Sequence, residues 1–289
     1  MGGSQIWLKE GEQMTVRDLL KAVCVVSGND AAVALGEHLA GSESAFVEKM
    51  NARAAELGMN DTHFVNATGL PAAGHLTSAH DIALMSRELI LRHPDIRQFT
   101  TIWMDSLRGG ASMLVNTNRL IRSYDGATGL KTGSTDSALY CLSATAELNG
   151  MELIAVVLHG PTSDARFADA RTLLDYGFAT YALVHVVPDE ALAPIPVILG
   201  ERDAVQPVLT ADNTLLLEKS AATALEQQVV LPDTVDAPVA EGDRLGELRL
   251  TDAAGDTVAV LPIYAGESVA HLTWWQMYRR VLRLAFGAE

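Results

Sequence analysis

Residues 129–135 read "GLKTGST", placing a lysine, a threonine and a glycine in a row after an Asp-Gly turn and ahead of an apolar run. An ammonium, a hydroxyl and a missing side chain at a strand edge imply a group for them to serve. Far upstream, Ser27-Gly28-Asn29 breaks a helical pattern with a hydroxyl and a carboxamide two residues apart. Arg166, in "TSDARFADARTLLDYGF", is a further candidate. Singly, each has an ordinary reading. Ser27 and Asn29 could be a helix break with local capping bonds. Lys131 could be a solvated surface charge, and Arg166 a surface ion pair with Asp164 or Asp169.

The elements that must position these residues are legible in part. Thr15 is an N-cap candidate with Asp18 three residues later, opening a helix that runs to the Ser27 break. Ser42 caps an amphipathic helix closed by Gly58, and "SAHDIALMSRELILRHP" is a helix stopped before Pro94. From about residue 98 the texture turns to strands. Asn149-Gly150 marks a hairpin between two apolar strands, and "SDARFADARTLLDYGFATY" returns to helix. Past Pro188, short Val/Leu-rich strands alternate with Pro, Gly and Asp, with one short helix around 219–226. In the tail, Gln276, Arg279, Arg280 and Arg283 share one sector. Trp274, Trp275, Met277, Tyr278, Val281, Leu282, Leu284 and Phe286 fill the rest. Three arginines make a poor spanning helix, so a helix lying in a membrane interface fits better; the competing reading is a terminal helix docked on its own protein.

At 289 residues, with 48% hydrophobic and 20% charged residues, the chain is globular. Its net charge of −15 argues against nucleic-acid partners. Cys24 and Cys141 sit among apolar neighbours and read as core residues rather than a disulfide. The eight histidines are scattered without metal-type spacing, so no metal or other cofactor is expected. The opening "MGGSQIWLKEGEQMT" has no signal-peptide pattern.

Together, Ser27-Gly28-Asn29, Lys131-Thr132-Gly133 and the flanking words "NDTHFVNATGL", "HLTSAHDIALM" and "NTNRLIRSYDGATGLKTGST" resemble the low-molecular-mass D-alanyl-D-alanine carboxypeptidases. The signature of these penicillin-binding serine acyltransferases is Ser-x-x-Lys, Ser-x-Asn and Lys-Thr-Gly, close to a set known from related enzymes. The resemblance implies an α+β fold with three parts. A β-lactamase/transpeptidase-like peptidase domain spans 1–187, a small all-β domain 188–267 and an amphipathic membrane-associating helix 268–289. It also implies roles. Ser27 would relay a proton to the leaving amine, and Asn29 would hold the donor peptide's amide. Lys131 would hydrogen-bond Ser27, and Thr132 would bind the terminal carboxylate with Arg166 near it. Gly133 would admit the ligand's backbone, and the Ser134 N–H would form half of an oxyanion hole. The implied partners are peptidoglycan stem peptides ending in D-Ala-D-Ala, β-lactams and the outer face of the cytoplasmic membrane.

One motif is not found: no serine of the chain has a lysine three residues on. In the family that motif precedes Ser-x-Asn by more than the 26 residues available before Ser27. The expectation is therefore a chain truncated at its N-terminus, unable to form an acyl-enzyme and baring apolar surface on the sheet and on the "LLKAVCVV" helix. A non-catalytic peptide-binding or structural protein of the cell envelope is the rival reading. A β-lactamase is disfavoured by the trailing β-domain and tail.

Overall fold

The computed structural model describes residues 2–286, the side chains only as far as residue 283. The chain forms two compact units that divide between Ala179 and Thr180.

In the first unit, α1 (Val16–Val26) begins where the Thr15 hydroxyl accepts the Asp18 N–H at 3.1 Å. It ends because Ser27 takes a left-handed conformation (φ 60°), and Gly28 then serves as the extended cap of α2 (Asn29–Ala40). α3 (Glu43–Glu56) is capped by Ser42, and α4 (Ala79–Arg92) by Ser78. After the one-turn α5 (Arg97–Thr100) come a small hairpin, β1 (Met104–Leu107) and β2 (Ser112–Val115), and the one-turn α6 (Leu120–Ser123). An antiparallel sheet in the order β3 (Ala127–Thr135), β4 (Leu139–Leu148), β5 (Met151–Gly160) follows, and then α7 (Ser163–Thr180). The β4–β5 turn is Asn149-Gly150, both at positive φ, as a two-residue hairpin with matching twist requires.

Strand alternation in β4 explains how the sheet is covered. Leu142, Ala144 and Ala146 point to one face and form a core with Phe167, Ala170 and Leu174 of α7. Ser143 points the other way and shares a buried 2.8 Å hydrogen bond with Ser86 of α4. Gly177 is what lets α7 lie close, since a Cβ there would meet Leu153 Cδ1 at 2.5 Å.

The bare apolar surface expected on the sheet and on α1 is not found. Among the described residues, no large apolar side chain of β3–β5, or between Leu19 and Val26, is exposed. The reason is local cover. Ala22 and Val25 pack with Ile6 of the N-terminal segment and with Leu107 and Leu114 of the hairpin. Asp30 pins that segment by accepting the Ile6 and Leu8 N–H groups at 3.1 and 3.0 Å.

The second unit is strand-rich, as the composition implies. β6 (Tyr181–His185), β7 (Ile195–Ile198), β8 (Ala204–Val205), β9 (Pro207–Leu209) and β10 (Thr214–Glu218) precede the four-residue α8 (Lys219–Ala222). β11 (Glu226–Val230), β12 (Val235–Asp236), β13 (Arg244–Thr251) and β14 (Thr257–Ala265) follow. The main sheet runs β11-β13-β14-β9, beside sheets β12-β7-β8 and β10-β6. Leu248, Leu250, Leu261 and Ile263 fill one core, and Ile195, Val197, Val205 and Val269 another.

The unit ends in α9 (Trp274–Phe286), whose two faces part as their chemistry dictates. Gln276 donates to Glu201 at 3.2 Å and Arg280 pairs with Asp203, so part of the polar sector docks on its own domain. Trp274 (73% exposed), Trp275, Tyr278 and Val281 face outward. Leu284 and Phe286, expected in that apolar sector, have side chains outside the described ones, as do residues 287–289. No helix among the described residues is long and apolar enough to cross a membrane.

Candidate active site

β3 is an edge strand of its sheet, and its free edge is treated differently along its length. The Thr100 hydroxyl donates to Thr128 O at 2.6 Å, and Asn118 Nδ2 donates to Gly129 O at 2.8 Å. Those side chains cap the first part of the edge. Beyond it lie Lys131, Thr132, Gly133 and Ser134, paired on the other side with Ser143, Leu142, Cys141 and Tyr140 of β4.

Thr117 joins this strand to the helix break. Its N–H donates to Val25 O at 3.1 Å in the last turn of α1. Its hydroxyl lies 2.6 Å from that of Thr132. The Ser27–Asn29 break and the Lys131–Thr132 edge, a hundred residues apart in sequence, are thus held on one side of the unit by a residue that sequence reading missed. The stretch "NTNRLIRSYDGATGLKTGST" is part of the family resemblance, but nothing in it singles out Thr117 from its neighbours.

Lys131 is half-buried and its ammonium donates to the Thr132 carbonyl at 2.6 Å. The bond to Ser27 implied by the resemblance is not made. A desolvated ammonium takes the nearest strong acceptor, and here that is a backbone carbonyl. Burial lowers the Lys131 pKa to about 8, the Cys24 side chain working against that shift and the Arg166 charge with it. Cys24 is buried and its pKa is raised to about 11, chiefly by desolvation, so it holds almost no thiolate at neutral pH. Both cysteines are free.

Asn29 is buried at the start of α2. Its Nδ2 donates to Gly2 O at 2.8 Å and its N–H to Ser4 O at 2.8 Å, while its Oδ1 takes no hydrogen bond among the described residues. Gly133 is exposed, and a Cβ built on it would meet nothing within 4 Å. No neighbour in the fold demands glycine there.

Arg166 is 7% exposed and not the surface ion pair of its ordinary reading. Asp164 pairs with Arg119 instead. Arg166 Nη1 donates to Gly133 O at 3.0 Å and Cys141 O at 3.1 Å, bridging β3 and β4. The guanidinium stacks near Tyr140 and Phe167, and its Nε is buried without a partner. Burial, with Arg119 nearby, lowers its pKa. A buried cation with an unspent donor beside an open strand edge is suited to an anionic ligand. Among the described residues no cluster of His, Cys, Asp and Glu could hold a metal ion.

The buried ammonium has a stability consequence. With a folded pKa of about 8 against an ordinary 10.5, the folded chain binds fewer protons here than the unfolded chain between those values. Stability therefore rises with pH through that window, and below it the folded state bears the cost of the buried charge. Lys131→Met at pH 7 is expected to stabilise the chain by on the order of 2–3 kcal/mol, the gain shrinking towards pH 10. Denaturant unfolding at both pH values checks this, and a less stable variant at pH 7 would contradict it.

The chain is similar to known proteins along both units. Residues 1–162 match the D-alanyl-D-alanine carboxypeptidase family model. Residues 183–271 match the C-terminal domain of penicillin-binding protein 5. The chain is 39% identical over 274 residues to the D-alanyl-D-alanine carboxypeptidase DacF of Bacillus subtilis, covering 93% of this chain and 70% of that one. It is 32% identical over 272 residues to DacD of Escherichia coli, covering 93% and 69%. Among solved structures, penicillin binding protein 5 of Haemophilus influenzae superposes with a TM-score of 0.73 at 28% identity, over 93% of this chain and 78% of that one. Penicillin-binding protein D2 of Listeria monocytogenes, in its cefotaxime-bound form, gives 0.56 at 38% identity over 60% and 71%. Because the matches run through both units in one order, the chain belongs to the D-alanyl-D-alanine carboxypeptidase family of low-molecular-mass penicillin-binding proteins.

Proposed function

We propose that this chain supplies the substrate-recognising side of a serine-type D-Ala-D-Ala carboxypeptidase site for peptidoglycan stem peptides. The reading rests above all on the Thr117 link, which ties the last turn of α1, two residues before Ser27, to the Thr132 hydroxyl. Thr132 and Arg166 bind the peptide's terminal carboxylate, a fixed cation being what an exopeptidase needs. Asn29 Oδ1 accepts the donor peptide's N–H. Gly133 admits the ligand's backbone, and the Ser134 N–H points at the scissile carbonyl oxygen. In the full reaction a serine hydroxyl attacks that carbonyl, Ser27 passes a proton to the departing D-alanine amine, Lys131 keeps the local potential positive, and water then hydrolyses the ester.

No serine of these 289 residues has the lysine that would activate it. We therefore assign to them recognition without turnover, and non-covalent binding of β-lactams at most. A peptide ending in D-Ala-D-Ala is expected to bind, and the same peptide with a C-terminal amide to bind at least tenfold more weakly, about 1.4 kcal/mol. Equal calorimetric affinities would end the reading.

The same reading places the protein outside the cytoplasm, with α9 resting on the membrane's outer face through its exposed aromatic residues. Co-sedimentation with anionic vesicles is expected to fall sharply when Trp274 and Trp275 are both changed to serine. Unchanged binding would return α9 to a purely structural role.

A further inference from the structure

Apart from the Lys131–Arg166 edge, the first unit gathers positive charge in a second place. A groove of about 550 Å³ is lined by Trp103, Arg119, Arg122, Asp164, Phe167 and Arg171. That volume lies in the range of small-molecule sites. Arg119 caps α6 and Arg122 lies three residues on, so their side chains are neighbours on one turn, with Cβ atoms about 5–6 Å apart.

Each guanidinium rests on an aromatic ring. Arg119 lies 4.6 Å from the centroid of Phe167, Arg122 5.7 Å from Trp103 and Arg171 5.2 Å from Tyr124. Stacking orients the planar group and leaves its N–H edges for bidentate contact with an oxyanion.

Carboxylates do little to satisfy them. Arg119 pairs with Asp164, whose side chain is 87% exposed, a kind of surface pair that contributes little. Arg171 donates to the Ser123 carbonyl at 2.8 Å and hydroxyl at 3.3 Å, both neutral. Asp175, four residues after Arg171 on α7, accepts the Tyr124 hydroxyl at 2.8 Å and forms no ion pair with Arg171 among the described residues. Arg122 makes no ion pair among the described residues. In a chain of net charge −15, three arginines gathered on aromatic supports and left underpaired run against the overall balance.

We propose that this groove binds a ligand carrying two or more oxyanions a few ångströms apart, phosphate or carboxylate, held by Arg119, Arg122 and Arg171, with Trp103 against its apolar part. The groove needs no nucleophile and adjoins the Lys131–Arg166 edge through Phe167, whose ring centroid lies 4.6 Å from Arg119 and 4.8 Å from Arg166; Arg122 and Arg171 belong to the groove alone, so variants there test it apart from the carboxypeptidase reading.

The test is calorimetric titration of the full chain, at low salt, with tripolyphosphate and with the tricarboxylate tricarballylate. At least one probe is expected to bind below about 1 mM, and added salt to weaken it. Arg122→Ala and Arg171→Ala, on two different elements, should each weaken it about tenfold or more, while Arg244→Ala in the other unit leaves it unchanged. Binding of both probes supports recognition of charge alone; binding of one identifies the oxyanion. Neither probe binding at about 10 mM, or binding indifferent to both groove variants, overturns the proposal. So does a loss of equal size in Arg244→Ala.

Discussion

Incubated with a fluorescent penicillin, the 289-residue chain is expected to show no covalent band above background. In other serine hydrolases, loss of the nucleophile costs on the order of 10⁶-fold in rate. The groups near the site offer no substitute. Lys131 is spent on the Thr132 carbonyl at 2.6 Å rather than on a hydroxyl. The Thr132 hydroxyl is engaged with that of Thr117 at 2.6 Å. Cys24, at a pKa of about 11, has roughly one thiolate in ten thousand molecules at pH 7. A labelled band, with the adduct mapped by mass spectrometry to a residue of this chain, would refute the assignment of recognition without turnover. Reversible displacement of a bound peptide by the same penicillin would agree with it.

Arg166→Ala is expected to abolish discrimination between the acid and amide forms of a D-Ala-D-Ala peptide. Removing one partner of a buried charge pair costs about 2–5 kcal/mol, or roughly 30- to 4,000-fold in affinity for the acid form. The substitution also removes the donor to Gly133 O and Cys141 O, so some loss could arise from a loosened strand. The amide peptide separates the two effects. A loosened strand weakens both peptides alike, whereas loss of the carboxylate's cation weakens only the acid. Arg166→Lys, which keeps the charge without the planar fork, should fall between. If Arg166→Ala preserves the preference for the acid, the assigned role is wrong.

Local chemistry was readable wherever cause and effect share one segment. The Thr15 and Ser42 caps form as their residue types require, since an N-cap bond closes within three residues. The Asn149-Gly150 turn follows from two residues able to adopt positive φ. The strand-rich second unit and the amphipathic character of α9 are likewise properties of short windows.

The site was legible only as a set of parts. Ser27, Asn29, Lys131, Thr132 and Arg166 could be picked out through a resemblance, but their surroundings could not. Thr117 carries no signal in its own sequence. It matters because tertiary packing brings Val25 O and the Thr132 hydroxyl to either side of it. Arg166 reads as a surface residue among aspartates, and only the closeness of α7 to the sheet buries it and turns it towards Gly133. The apolar face of α1 was expected to stand bare, yet Ile6, Leu107 and Leu114 cover it from segments whose placement no periodicity specifies.

What the amino-acid order determined alone, then, was the element types, their caps and turns, the family and the roster of reactive groups. Tertiary structure decided which of those groups meet, which are desolvated and what each hydrogen-bonds. The physical reason is range. Propensity, capping and turn geometry act over a few bonds, whereas burial of Lys131 and Arg166 and the Thr117 link depend on chain segments tens of residues apart, brought together by the closure of one common core.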